Sequence, residues 1–188
     1  MRKLTVFNQV SLDGYFRTPD GDMSWAHQQD DDAEFRDFTA SNASGGGVLV
    51  FGRKTYEMMV SFWPTPAAAK QFPVVAKQMN ALPKVVFSKT LDKVTWSNTK
   101  LVKGSPAAEL RKMKGEAGDQ LVIMGSGTIV SQLAQADLID EYQFVVVPVV
   151  LGEGRTMFEG SSKNLQLKLT KTRAFRNGRL FLVYQPKA

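Results

Sequence analysis

Three short segments carry residue types that bind phosphate: Gly52-Arg53-Lys54-Thr55, Ser88-Lys89-Thr90 and Gly125-Ser126-Gly127-Thr128. Each follows a short apolar run (Val48–Phe51, Val85–Phe87 and Leu121–Met124), and the first and third open onto sequence patterned as a helix. A helix start presents unpaired backbone N–H groups and the positive end of the helix dipole, so it receives anions. Glycine lets a phosphate approach the backbone, and Arg53, Lys54 and Lys89 add positive charge beside it. Two glycine-marked helix starts suit the pyrophosphate of a dinucleotide, and the neighbouring cations suit one further phosphate. Taken singly, each segment is a common packing device. Gly125-Ser126-Gly127 also lacks the third glycine of the Rossmann fingerprint, since position 130 is Val.

Other chemistries are excluded by composition. The chain has no cysteine and one histidine, His27, which removes thiolate metal sites, cysteine nucleophiles, disulfides and multi-histidine metal centres. Serine hydrolysis by a triad would have to pass through His27 alone. The acidic run Asp30-Asp31-Asp32 stands where a helix begins, and the helix dipole is sufficient reason for it; no metal is expected there. A reductive reaction would need a proton donor, and the candidates are Asp13, in the loop after the first strand, and Glu34, on the first helix. Asp13-Gly14 is also a good turn former.

The elements that must position these groups alternate. Leu4–Val10 reads as a buried strand and Ser11–Trp25 as a loop; a helix runs from Asp30-Asp31-Asp32 to about Ser41. Strand Val48–Phe51 leads to a helix from Arg53 to about Val60, and Ala67–Met79 is helical around an interruption at Pro73. Lys84–Phe87 is a strand, and Ser105 and Pro106 cap and open a helix to about Lys114. After Leu121–Met124 the four-residue spacings Ile129/Leu133 and Val130/Ala134 mark a further helix. Glu141–Val150 reads as a long strand, Leu165, Leu167 and Leu169 alternate with polar residues, and Asn177-Gly178 turns a hairpin into Leu180–Tyr184. Strand–helix alternation followed by a strand-rich end predicts one α/β domain over residues 1–188: a mainly parallel, mixed central sheet with an antiparallel finish.

The net charge of +6 is unevenly placed. Residues from Gly160 onward include Lys163, Lys168, Lys171, Arg173, Arg176, Arg179 and Lys187, with no acid among them. A non-catalytic nucleic-acid-binding module would use such a hairpin, but the cations alternate with apolar residues and few aromatics stand between them. A solvated strand face protected against edge pairing is the reading favoured here, with no nucleic-acid partner. No apolar run approaches the roughly 20 residues that cross a bilayer, so a cytoplasmic location is expected.

Taken together, the motifs resemble the dihydrofolate reductase superfamily. Val48-Leu49-Val50-Phe51-Gly52-Arg53-Lys54-Thr55 resembles the segment where those enzymes meet NADPH, and Val85-Val86-Phe87-Ser88 resembles the strand whose serine lies near the adenosine phosphate. Leu121-Val122-Ile123-Met124-Gly125-Ser126-Gly127 resembles the segment under the pyrophosphate. Ser11-Leu12-Asp13-Gly14 and Pro148–Phe158 are more similar still to the riboflavin-pathway pyrimidine reductases, the reductase half of bifunctional deaminase–reductases, and their stand-alone relatives.

The resemblance implies a three-layer α/β/α fold and an NADPH-dependent oxidoreductase that passes a hydride to a small heterocyclic, carbonyl or imine substrate. It implies that Arg53, Ser88 and Lys89 hold the adenosine phosphate and that Gly125, Ser126, Gly127 and Thr128 hold the pyrophosphate, with Gly52, Lys54 and Thr55 beside them. A homodimer is expected, because relatives pair through their sheets. Dihydrofolate reductases carry an acid on the first helix, for which Asp31, Asp32, Glu34 and Asp37 are available. The riboflavin-pathway reductases usually have an acid before the paired glycines, where this chain has Met124.

Overall fold

Period-two alternation on the buried strands explains the layering. In a computed structural model, which describes residues 1–26 and 32–187, Val50 and Val85 pack in one apolar cluster while their neighbours Leu49, Phe51 and Val86 pack in another. A strand whose alternate residues are buried on both sides must be covered on both faces. One face is covered by α5 (Pro106–Gly115) and α6 (Gly127–Gln135), through Leu110, Ile129, Val130 and Leu133. The other is covered by α2 (Arg53–Phe62) and α4 (Pro73–Ala81), through Tyr56 and Met79. On the same side α1 (Ala33–Ser44) lies over the antiparallel end of the sheet, where Phe35 meets Phe175 edge-on and Phe38 packs at a tilt against Phe181.

The sheet has eight strands. β1 (Leu4–Ser11), β3 (Val48–Gly52), β4 (Lys84–Phe87), β5 (Thr99–Val102), β6 (Leu121–Met124) and β7 (Glu141–Val147) run parallel. β10 (Leu180–Pro186) and β9 (Leu167–Ala174) close it antiparallel, in the order β5-β4-β3-β6-β1-β7-β10-β9. This is an α/β three-layer fold with a mainly parallel mixed sheet, its terminal hairpin turning at Asn177-Gly178. β9 is an exposed edge strand, and Lys168, Lys171 and Arg173 stand on it. No helix among the described residues is long and apolar enough to cross a membrane.

Several element boundaries differ from the sequence-based expectation. The loop Ser11–Trp25 contains a short strand, β2 (Tyr15–Arg17), which pairs antiparallel with β8 (Arg155–Thr156), a partner some 140 residues away that no local pattern reveals. A 3-10 turn at Ser24–Ala26 buries Trp25. β7 ends at Val147, not Val150: Pro148 has no N–H to continue the ladder. Pro73 divides the predicted Ala67–Met79 helix into α3 (Pro66–Gln71) and α4. Asp32 caps α1 by accepting from the Phe35 N–H at 3.2 Å, and the helix runs on to Ser44. His27, Asp30 and Asp31 lie outside the described residues.

Candidate functional site

β1 outruns its neighbour. Its pairing with β6 stops at Phe7↔Met124, while on its other side it stays paired with β7 as far as Ser11↔Val147. A gap therefore opens beside Asn8 and Gln9, at the carboxyl ends of the parallel strands, where ligands of open α/β sheets bind. A cleft of about 1030 Å³ occupies this place. Its wall includes all ten residues singled out for cofactor binding: Gly52, Arg53, Lys54, Thr55, Ser88, Lys89, Gly125, Ser126, Gly127 and Thr128. Parallel strands bring their C-terminal ends to one edge of the sheet, and so three segments distant in sequence converge.

The two glycine-marked helix starts are stitched together. The Gly52 N–H donates to Ser126 Oγ at 2.6 Å, and the same hydroxyl donates to Thr55 Oγ1 at 3.0 Å. Ser126 caps α6 in the left-handed region, at φ 62°, an uncommon conformation for a residue with a side chain that is often found at functional positions. Its hydroxyl and that of Thr55 are thus spent on joining α2 to α6, and contact with a ligand falls to backbone N–H groups. The helical bonds of α6 begin with Ile129 and Val130, both donating to the Ser126 carbonyl, ahead of which the N–H groups of Gly127 and Thr128 start the helix.

At the other end of the cleft Arg53, Lys54, Lys89 and Lys103 gather beyond β3, β4 and β5. Arg53 stands 3.6 Å from Glu57 one turn along α2, and both side chains are nearly half exposed. An ion pair that long and that wet is weak, on the order of 0.5 kcal/mol, so the guanidinium is free to turn to a stronger anion. The Ser88 hydroxyl oxygen accepts from the N–H groups of Thr90 and Leu91, shaping the loop, and Lys103 Nζ donates to the carbonyls of Lys89 and Leu91.

The proposed proton donors lie elsewhere. Asp13 and Glu34 do not line the cleft. The Asp13 carboxylate accepts from the N–H groups of Leu151 and Gly152, the latter at 2.7 Å, so it ties the loop after β1 to the loop after β7. A hydrogen bond with Ser11 and those two N–H bonds hold its pKa below the usual carboxylate value, which makes it an ionised anchor at neutral pH. Glu34 pairs with Arg173 of β9 at 2.6 Å, holding α1 to the edge of the sheet. Asp32, considered for the folate-acid position, accepts from Phe35 and Asn177 N–H groups; Asp31 lies outside the described residues.

Asn8, Gln9, Arg17 and Lys103 also line the cleft, and the sequence did not single them out as site residues. Asn8 and Gln9 interrupt an otherwise apolar first strand, which was a legible signal. Arg17 gave none, because it enters through the β2–β8 pairing. Its Nε is buried without a partner among the described residues.

This sheet order and this cleft define a dihydrofolate reductase-like reductase fold. The chain belongs to the RibD C-terminal domain family, whose model matches residues 2–181. A Shewanella sp. PV-4 structure named for riboflavin biosynthesis is 25% identical, has a TM-score of 0.72, and is matched over 99% of both chains. The Thermotoga maritima diaminohydroxyphosphoribosylaminopyrimidine deaminase/5-amino-6-(5-phosphoribosylamino)uracil reductase matches at 14% identity and TM-score 0.69, over 99% of this chain and 57% of its own. Enterococcus faecalis dihydrofolate reductase, solved with NADP(H), matches at 14% identity and TM-score 0.65, over 99% of this chain and 97% of its own. At 14% identity these last two likenesses concern the fold.

Proposed function

We propose that the protein is an NADPH-dependent reductase acting on a small heterocyclic, carbonyl or imine substrate, of the kind handled by the pyrimidine reductases of riboflavin biosynthesis. The observation that carries this reading is the convergence of both glycine-marked helix starts with Arg53, Lys54, Lys89 and Lys103 on one cleft of about 1030 Å³. The residues fit the cofactor. Gly127 and Thr128 N–H groups would take the pyrophosphate, and Arg53, Lys54, Ser88 and Lys89 the adenosine 2′-phosphate, with Gly52 and Thr55 between them. When bound, NADPH supplies a hydride, which adds to the carbon of a C=N or C=O group while the nitrogen or oxygen takes up a proton.

The chain's own contribution is orientation and exclusion of water. Phe7, Phe16, Met58, Met59, Met124 and Ile129 give the cleft apolar walls. Two carboxylates on the described wall, Asp20 and Glu159, are engaged with Thr18 and with Arg155 at 2.7 Å, so the proton would come from water at the cleft mouth. We further place the protein in the cytoplasm as a homodimer; light scattering that gave a monomer mass would remove the second statement.

Fluorescence titration with NADPH and NADH tests the reading directly, and absence of NADPH binding would end it. Arg53→Ala sharpens the test. A charge-assisted bond to the 2′-phosphate contributes roughly 1.5–3 kcal/mol, so the variant should bind NADPH about tenfold to a hundredfold less tightly. NADH, which has no 2′-phosphate, should change little. Equal losses for both cofactors, or none, would remove Arg53 from the site and leave it as the partner of Glu57.

Diaminopyrimidine antifolates should bind poorly, since Asp32 and Glu34 are engaged by backbone N–H groups and by Arg173. Binding at micromolar concentration or better in a competition assay would show that an acid does face the substrate.

A further inference from the structure

Asn8 stands on the same face of β1 as Leu4 and Val6, where an apolar residue would continue the core, and it is only 4% exposed. Its Oδ1 accepts from the Gly125 N–H at 2.7 Å. That bond fixes the orientation of the amide, because the reversed amide would set NH2 against N–H. The Nδ2 group is consequently turned away from Gly125. It is buried, and it has no hydrogen-bond partner among the described residues. An unpaired buried donor is uncommon and costly, and one that lines a cleft points to an acceptor supplied by a ligand.

The position of Asn8 limits what that acceptor can be. The residue sits immediately past the last β1–β6 pair, Phe7↔Met124, and is bonded to the glycine that precedes α6. Phe7, Asn8 and Met124 line the same cleft as the start of α6, so a dinucleotide whose pyrophosphate rested on that helix start would share the cleft with Asn8. A nicotinamide ring carries one hydrogen-bonding substituent, a carboxamide, and the carbonyl oxygen of that group accepts. We infer that Asn8 orients the nicotinamide, donating from Nδ2 to the carboxamide carbonyl, so that one face of the ring is presented to the substrate; this rests on the NADPH reading above. A backbone-to-side-chain bond thereby couples the pyrophosphate end of the site to the reactive end: the Gly125 N–H sets the amide, and the amide sets the ring.

Asn8→Asp separates this role from a structural one. Aspartate has nearly the same shape and still accepts from Gly125 N–H, but it has no N–H to give. The ligands to compare are NADPH and 2′-phospho-ADP-ribose, which has the pyrophosphate and the 2′-phosphate but no nicotinamide. With the wild-type chain as reference, the variant should lose roughly tenfold to a hundredfold in NADPH affinity, the effect of one buried hydrogen bond with its partner left unpaired. Affinity for 2′-phospho-ADP-ribose should stay within about twofold, well below the hydrogen-bond effect. Unchanged NADPH binding overturns the inference and leaves the reductase reading standing. Equal losses for both ligands also overturn it, since they would trace to the start of α6 or to repulsion of the pyrophosphate. Failure of the wild-type chain to bind NADPH overturns both.

Should the variant not fold, the wild-type chain serves with the thionicotinamide analogue of NADPH, whose C=S is a poorer acceptor. Several-fold weaker binding than NADPH is expected, and equal binding overturns the inference.

Discussion

Gly125→Val is expected to abolish measurable NADPH binding and to lower the melting temperature as well. Gly125 has φ +65°, and a Cβ there would lie 2.7 Å from Thr55 Cγ2 and 2.9 Å from Thr55 Oγ1. A branched residue in the left-handed region carries a conformational cost of roughly 1–2 kcal/mol, and Thr55 is itself fixed by its bond with Ser126. The valine would therefore push apart the α2 and α6 starts in addition to filling the space a pyrophosphate needs. The sequence alone predicts loss of binding in an otherwise intact fold; the contact with Thr55 adds the stability loss.

Gly127→Ala separates the two effects. Gly127 has no positive φ, and its added Cβ would meet the far edge of the Phe16 ring at 3.0 Å, which can yield, and the Thr156 carbonyl at 3.3 Å. This variant should fold and still bind NADPH more weakly. Wild-type affinity in both variants, read by fluorescence titration beside a thermal melt, would reduce the two glycines to packing devices.

Lys84→Met should be the most destabilising exchange outside the cleft. Lys84 is 2% exposed, and its Nζ donates to the carbonyls of Asn80, Leu82 and Ser97 at 3.2, 2.6 and 3.3 Å while lying 4.5 Å from the centre of the Trp96 ring. The ammonium thus closes the C-terminal end of α4 against the approach to β5. A methionine of similar length takes that donor from all three carbonyls. The Asn80 carbonyl keeps the Ser97 hydroxyl and Ser97 is exposed, so the Leu82 carbonyl, which makes the shortest of the three bonds, bears the main cost. At roughly 1–3 kcal/mol for a buried unpaired group, the loss should reach about that size in chemical denaturation. A change below about 1 kcal/mol, an ordinary surface value, would show that water replaces the amine.

The pH dependence of Lys84 has a definite sign. Burial lowers the lysine from 10.5 to about 8 in the folded chain. Between those values the unfolded chain holds a proton the folded chain has released, so stability from this group rises with pH across the window. Below about pH 8 both states are protonated and the cost of the buried charge is present in full. The gap between wild type and Lys84→Met should therefore widen as pH is raised from 8 towards 10.5. A gap that narrows would mean that the three carbonyls hold the proton more firmly than burial expels it.

The sequence by itself determined the strand–helix order, the placing of glycine, hydroxyl and basic residues at the strand ends Gly52–Thr55, Ser88-Lys89 and Gly125–Thr128, and the hairpin at Asn177-Gly178. These are local matters: periodicity, turn chemistry and helix starts are written within a few residues of one another. Tertiary structure decided what those residues touch. Thr55 and Ser126 carry hydroxyls suited to a ligand, yet they are 71 positions apart and bond each other across two helix starts. Asp13 and Glu34 are of the right type for acid chemistry, but the loop after β7 and strand β9 fold back from 138 or more residues away and claim them. Arg17 reaches the cleft only because β2 finds β8. Asn8 shows both levels in one side chain. Its polarity on a buried strand was visible in the sequence, whereas the direction of its free N–H is set by Gly125, 117 residues on, and a hydrogen bond between such distant residues exists only once the parallel strands lie side by side.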